Sequence, residues 1–212
     1  MNIRRMLTAG VGAAAVLGPA AYLLFFRSRC LNWGARADEV AAKLPGDELL
    51  ADAGLVTTRA ITIDAPAGAI WPWLAQMGSG RGGAYSYDWI ENMLGLNMHS
   101  AAEILPEYQD IKAGDELPLG GGGPVMRVEV ADPPRALAVR STDKNWVWMF
   151  ALLPEGESTR LISRNRIAVK ALSPVSRLFY LLFMEPGSLV MERKMLLGIK
   201  QRTEHGEYDS DE

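Results

Sequence analysis

The chain has 212 residues, of which 49% are apolar, with a net charge of -3 and one cysteine. This length accommodates one ordinary domain with a real core and an appendage. The negative charge argues against a nucleic-acid partner, whose phosphates require a concentrated basic face. A single cysteine excludes a disulfide framework and a cysteine-based zinc site.

The appendage is the apolar stretch at positions 6–26, which contains no charged residue. A helix of that length would be roughly 31 Å long, close to the hydrocarbon thickness of a bilayer. We therefore predict a single-pass membrane anchor within residues 1–30, stopped by Arg27 and Arg29. The alternative is a cleaved secretory signal, because Arg4 and Arg5 precede many small residues. Arginines flank the stretch at both ends, so the sequence does not determine on which side of the membrane the domain lies.

Next along the chain, residues 31–54 are predicted to be a linker that folds back on the domain, with a short helix at 38–44. Alternation of polar and apolar residues predicts a strand at 58–64, and Asp64-Ala65-Pro66 is a helix start signal. The following apolar stripe runs from Ile70 to Met77 at helical spacing. Pro72 interrupts it and predicts a bend or a late helix start.

Residues 71–95 crowd aromatic side chains, glycines and Arg81 between two helical segments, the second predicted at 86–94. This mixture is typical of a pocket mouth. Gly78, Gly80 and Gly83 match the GxGxxG spacing, but they follow a helix, whereas a dinucleotide site follows a strand. We interpret them as a tight corner and predict no cofactor.

The second half of the chain predicts antiparallel strands at 126–130, 136–140, 146–153 and 160–169, the last two joined by a hairpin loop. A helix is predicted over 174–202, with an interruption at 185–187. The end, residues 204–212, reads as an acidic, disordered tail. Residues 55–203 therefore form a single α+β domain.

Four segments follow one another in this order along the chain: ITIDAPAGAIWPWLAQMG, RGGAYSYDWIEN, ILPEYQDIKAGDELPLG and EPGSLVMERKMLLGIKQR. In these segments the chain resembles the START-like helix-grip superfamily (SRPBCC), which includes polyketide cyclase-like proteins and lipid-transfer domains. The resemblance implies a membrane-anchored bacterial member with a curved antiparallel sheet wrapped around a long C-terminal helix. Activities vary widely on this fold, so the resemblance leaves the chemistry open.

The leading hypothesis is binding of a hydrophobic small molecule or lipid between the sheet and the C-terminal helix. Alternation places Trp146, Trp148 and Phe150 on one face of a strand, and methionines on the helix would form an adaptable wall. Plain core packing is the alternative for the aromatic face. The candidate ligand-binding residues are Met77, Arg81, Tyr85, Tyr87, Asp88, Trp146, Trp148, Arg164, Met191 and Met195.

Two other functions stay open at this stage. One is a cyclase- or dehydratase-like enzyme, in which Tyr87, Asp88, Glu91 or His99 moves protons. The other is an interaction module at the membrane whose interior is filled by side chains. With His99 as the one histidine before the tail, we predict no metal site. The sequence identifies no catalytic set, no ligand and no oligomeric state.

Overall fold

The computed structural model describes residues 22–121, 124–169 and 172–206. The helices, after a π-helical turn at Tyr22–Phe26, are α1 (Arg27–Leu31), α2 (Ala37–Ala41), α3 (Ala67–Ala75), α4 (Asp88–Met93), α5 (Pro174–Phe179) and α6 (Glu185–His205). The strands are β1 (Leu55–Ile63), β2 (Glu116–Pro118), β3 (Val125–Asp132), β4 (Ala136–Ser141), β5 (Trp146–Glu155) and β6 (Ser158–Ile167). Short 3₁₀ turns lie at Asp47–Leu50 and Pro106–Tyr108.

All six strands form one antiparallel sheet in the order β1-β6-β5-β4-β3-β2. The first strand therefore pairs with the last, with Leu55 opposite Ile167 and Ile63 opposite Thr159. This curved sheet and the long helix α6 fit the helix-grip fold, so the predicted antiparallel sheet and long C-terminal helix are confirmed.

The two faces of the sheet are both covered, because side chains of successive residues point to opposite sides. The inner face packs against α3 and α6 in the main core, which includes Leu161, Phe150 and Leu196. The outer face carries a smaller apolar cluster that includes Ala60, Met149 and Ile162.

The outer face is covered by the segment before β1. Leu44 packs into the outer cluster, and arginines of β6 bind the same segment. Arg160 donates to both carboxylate oxygens of Glu39 at 2.7 Å, and Arg166 donates to the carbonyls of Leu50 and Ala51. The predicted linker is thus a strap, residues 32–54, that packs on the sheet.

The C-terminal helical stretch differs from the prediction at one point. No interruption occurs at residues 185–187, because Pro186 occupies the first turn of α6, where a proline needs no amide hydrogen. A π-helical turn, Tyr180–Met184, joins α5 to α6. Gly198 lets α6 approach the loop before α4, since a Cβ there would lie 2.5 Å from the Tyr85 carbonyl oxygen.

The predicted membrane anchor lies largely outside the described residues, which begin at Tyr22. In residues 22–121, 124–169 and 172–206, no helix combines the length and the apolar character that a bilayer crossing requires. The predicted tail likewise falls mainly outside, since the described chain ends at Gly206 after α6.

Candidate functional site

A cavity of about 430 Å³ lies between the inner face of the sheet and α6. This volume falls in the range of roughly 300–1,000 Å³ that small-molecule sites occupy. The sheet contributes Trp146 and Trp148, and the helical stretch contributes three methionines. Its lining includes Thr57, Glu91, Trp146, Trp148, Met184 and Met191.

The two tryptophans form an ordered aromatic wall. Their rings stack with centroids 5.9 Å apart and planes inclined by 17°. Each indole N–H is occupied, since Trp146 donates to Asn165 Oδ1 at 2.7 Å and Trp148 donates to Ser163 Oγ at 3.0 Å. With their polar atoms satisfied, these rings offer the cavity apolar surface and π faces.

A buried polar network supports this wall from the side of β1 and α6. Glu192 accepts from Ser163 Oγ at 2.6 Å and from Asn165 Nδ2 at 3.2 Å, and it forms an ion pair with Arg59. Arg59 also donates to the Cys30 carbonyl at 3.1 Å and to Ser188 Oγ at 3.0 Å. Burial raises the pKa of Glu192, while the Arg59 charge and the Ser163 hydrogen bond lower it. The network links β1 and β6 to α6, and we expect it to fix the spacing between sheet and helix.

Two buried polar atoms of residues that line the cavity have no hydrogen-bond partner among the described residues. These are Thr57 Oγ1 and Glu91 Oε2. The Glu91 side chain receives one hydrogen bond, from Ser86 Oγ to its other oxygen at 2.9 Å. Burial raises the pKa of the Glu91 carboxyl, and the neighbouring charge of Asp88 raises it further. A buried polar atom without a partner costs about 1–3 kcal/mol, so a further hydrogen-bonding partner would stabilise each of these atoms.

Four of the ten candidate ligand-binding residues line this cavity. They are Trp146, Trp148, Met191 and Met195. Among the four side chains considered for proton transfer, Glu91 alone lines it. His99 is exposed and lies elsewhere.

The glycine corner contributes less to the cavity than its composition suggested. Met77 borders a separate space of about 30 Å³. The buried Tyr85 hydroxyl donates to the Trp73 carbonyl at 3.0 Å, and burial raises the pKa of this phenol. Arg81 lies over the Tyr108 ring, with 4.3 Å from its guanidinium carbon to the ring centroid. The contacts of Tyr85 and Arg81 therefore stabilise the corner itself.

The remaining two candidates on this side also have structural partners. Asp88 accepts hydrogen bonds from the amide and hydroxyl of Ser100 at 2.7 and 2.6 Å. The ring of Tyr87 lies 5.6 Å from the ammonium nitrogen of Lys194. Neither side chain borders the cavity.

Arg164 lies on the outer face, opposite to the side that a ligand contact requires. Its guanidinium donates to Asp47 at 2.7 Å, to Thr58 Oγ1 at 3.0 Å and to the carbonyls of Glu39 and Ala42 at 2.7 and 2.8 Å. A depression of about 490 Å³ adjoins it on that face. Because these acceptors use the hydrogen-bond donors of Arg164, we interpret this arginine as a structural residue that holds the strap against the sheet.

The polar network was not predicted from the sequence. Alternation along β1 puts Thr57 and Arg59 on the same face as the buried Ile63, and helical spacing puts Glu192 in register with Met195 and Ile199. β1 and α6 each carry a charged residue at a position that the periodicity places in the core. This combination was the available signal, because buried charged side chains are paired with opposite charges. In the part of the chain that the structure describes, no three metal-ligating side chains come together.

The fold and the cavity define a helix-grip domain with a hollow, aromatic-walled interior. No protein-family model and no curated protein matches the sequence. Similar solved structures exist at low identity. The KanY protein is 15% identical, with 71% of this chain and 97% of KanY covered at a TM-score of 0.48.

Two further solved structures show the same level of similarity. The polyketide-cyclase-like protein of Corynebacterium glutamicum is 19% identical, over 69% of this chain and 89% of that one, with a TM-score of 0.38. The Aha1 dimer of Colwellia psychrerythraea is 13% identical, over 72% and 98%, with a TM-score of 0.44. Values this low say nothing about what this chain binds.

Proposed function

We propose that this chain binds a hydrophobic small molecule or lipid in the cavity between the sheet and α6. The observation that carries the proposal is the cavity itself, about 430 Å³ of space between stacked tryptophans and methionines. An interaction module with a filled interior would have no need of this space. Affinity would come chiefly from apolar area, at about 25 cal/mol per Å² before ordering costs.

Native mass spectrometry of the gently purified full-length chain tests this binding. We expect a co-purified molecule of defined mass, which Met191→Trp removes because a larger ring occupies the cavity. The matched control is Met93→Trp, since Met93 is 73% exposed and lies outside the cavity. Retention of the same mass by a folded Met191→Trp variant would count against the cavity as the binding site.

Acid–base catalysis in the same cavity is the second candidate function. Glu91 favours it, because this carboxyl lines the cavity with its pKa raised by burial, as in many general acids. The lining offers no second group from the predicted proton-transfer set, so binding is the better supported function.

The membrane is the second part of the proposal. Leu178, Phe179 and Phe183 are 50–64% exposed, and the two phenylalanine rings stack at 5.4 Å. Tyr22 and Arg27, at the end of the apolar N-terminal stretch, both donate to the Glu185 carboxylate. The two apolar segments therefore meet at the start of α6. We propose that the N-terminal stretch anchors the domain and that α5 rests on the lipid surface.

Alkaline carbonate extraction of membranes tests the anchor. We expect the full-length chain to stay in the membrane pellet, because an uncharged stretch spanning positions 6–26 is long enough to cross the hydrocarbon core. The intact mass of the purified protein is the accompanying measurement. Release into the supernatant, together with a mature chain that begins after this stretch, would establish the cleaved signal instead.

A further inference from the structure

The ionisable groups that line the cavity all carry one sign of charge. Apart from the neutral phenol of Tyr180, they are the carboxyls of Glu91, Asp143, Glu185 and Glu192, and the lining contains no lysine, arginine or histidine among the residues that the structure describes. A cavity of this composition disfavours an anionic guest and favours a cationic one.

Three of these four carboxyls already have strong partners. Glu185 pairs with Arg27 at 2.8 Å, and Glu192 pairs with Arg59. The exposed Asp143 accepts from Ser141 Oγ at 2.5 Å and from the Asn145 amide at 3.1 Å. Their charges are therefore balanced within the protein or by solvent.

Glu91 differs from the other three. It is 7% exposed, and within the described part of the chain its buried Oε2 atom has no hydrogen-bond partner and its one donor is the neutral Ser86 hydroxyl. A charge-assisted hydrogen bond to this atom would replace an uncompensated buried acceptor with a satisfied pair.

The aromatic wall supplies a second, independent preference for a cation. Trp146 and Trp148 both line the cavity, and their N–H groups are already occupied by Asn165 and Ser163. Tryptophan faces attract cations through the ring quadrupole, and the attraction grows when water is excluded.

We propose that the guest is an apolar molecule that carries an amine, whose ammonium group donates to Glu91 Oε2 while its apolar body packs against Trp146, Trp148 and the methionines. This inference rests on the proposed binding function and adds the chemical class of the ligand. The raised pKa of Glu91 agrees with it, because a buried carboxyl without a cation gains most when one arrives.

Three indole compounds with the same ring and different polar ends test the class. Tryptamine is a cation, tryptophol is neutral and indole-3-propionate is an anion. Isothermal titration of the full-length chain in lipid nanodiscs, with empty nanodiscs as the blank, should show tryptamine binding at least about tenfold more tightly than tryptophol. Indole-3-propionate should bind most weakly.

Glu91→Gln should reduce tryptamine affinity to that of tryptophol while tryptophol affinity changes little. Its thermal unfolding temperature should not fall, because the substitution removes an unpaired buried charge. Glu103→Gln is the matched control, since Glu103 is exposed and outside the cavity, and it should keep the preference for the amine.

Equal or tighter binding of tryptophol by the unchanged protein would overturn the amine inference and leave the binding function standing. Absence of measurable tryptamine binding would overturn it as well. In that case the binding function is tested separately, by native mass spectrometry of the Met191→Trp variant and its Met93→Trp control.

Discussion

Replacement of Arg59 by leucine is expected to lower the free energy of unfolding by about 3–5 kcal/mol. Arg59 is fully buried on the inner face of β1 and pairs with Glu192 of α6. Without it, a buried carboxylate loses its counter-charge, and the Cys30 carbonyl loses both of the guanidinium bonds that hold it. Urea unfolding followed by tryptophan fluorescence measures the loss.

The double variant Arg59→Leu/Glu192→Leu separates charge from packing. It should recover much of the stability, because apolar residues often replace a buried ion pair without loss. Arg135→Leu is the matched control, since Arg135 forms an exposed pair with Asp132 at 2.8 Å and should cost no more than about 1 kcal/mol. A loss of that small size for Arg59→Leu would mean that the network does not fix the spacing of sheet and helix.

The strands and their alternation could be predicted from sequence, but the identity of the inner face could not. Along β5 the side chains on both faces are apolar, with Trp148 and Phe150 on one face and Val147 and Met149 on the other. The reason is that the strap covers the outer face, so both faces are buried. Alternation discriminates faces only when one of them meets water.

The apolar residues of the cavity wall could be predicted from the sequence, whereas the polar network beside it could not. Trp146, Trp148 and Met195 follow from strand and helix periodicity, which marks residues that face inward. Arg59 and Glu192 meet only in three dimensions, because β1 and α6 are more than a hundred residues apart in the chain. Their pairing depends on the helix crossing the sheet at that point, which no local pattern specifies.

At the glycine corner the sequence suggested a larger part in the cavity than the structure shows. Its aromatic residues and Arg81 suggested a mouth, whereas Tyr85 is buried against Trp73 with ring centroids 5.7 Å apart. A tight corner needs glycines for its backbone and large rings to fill the space beneath it, so its composition resembles that of a pocket rim. From this segment Ala84, Ser86 and Glu91 reach the cavity, and none of them was among the candidate ligand-binding residues.

Arg164→Leu is expected to cost about 3 kcal/mol or more without weakening ligand binding. The guanidinium is buried and holds Asp47 together with the carbonyls of Glu39 and Ala42. Its removal leaves these acceptors with fewer donors, so the strap should open and become sensitive to limited proteolysis within residues 32–54.

The cavity lies on the opposite face of the sheet, which makes binding and stability separable in this variant. Tryptamine affinity, measured well below the unfolding temperature, should match that of the unchanged chain. Arg127→Leu on β3 is the control, because Arg127 is exposed and its loss should affect neither property. If Arg164→Leu instead abolished binding in a folded protein with an intact strap, the arginine would act on the ligand, and the division between a structural outer face and a binding inner face would be wrong.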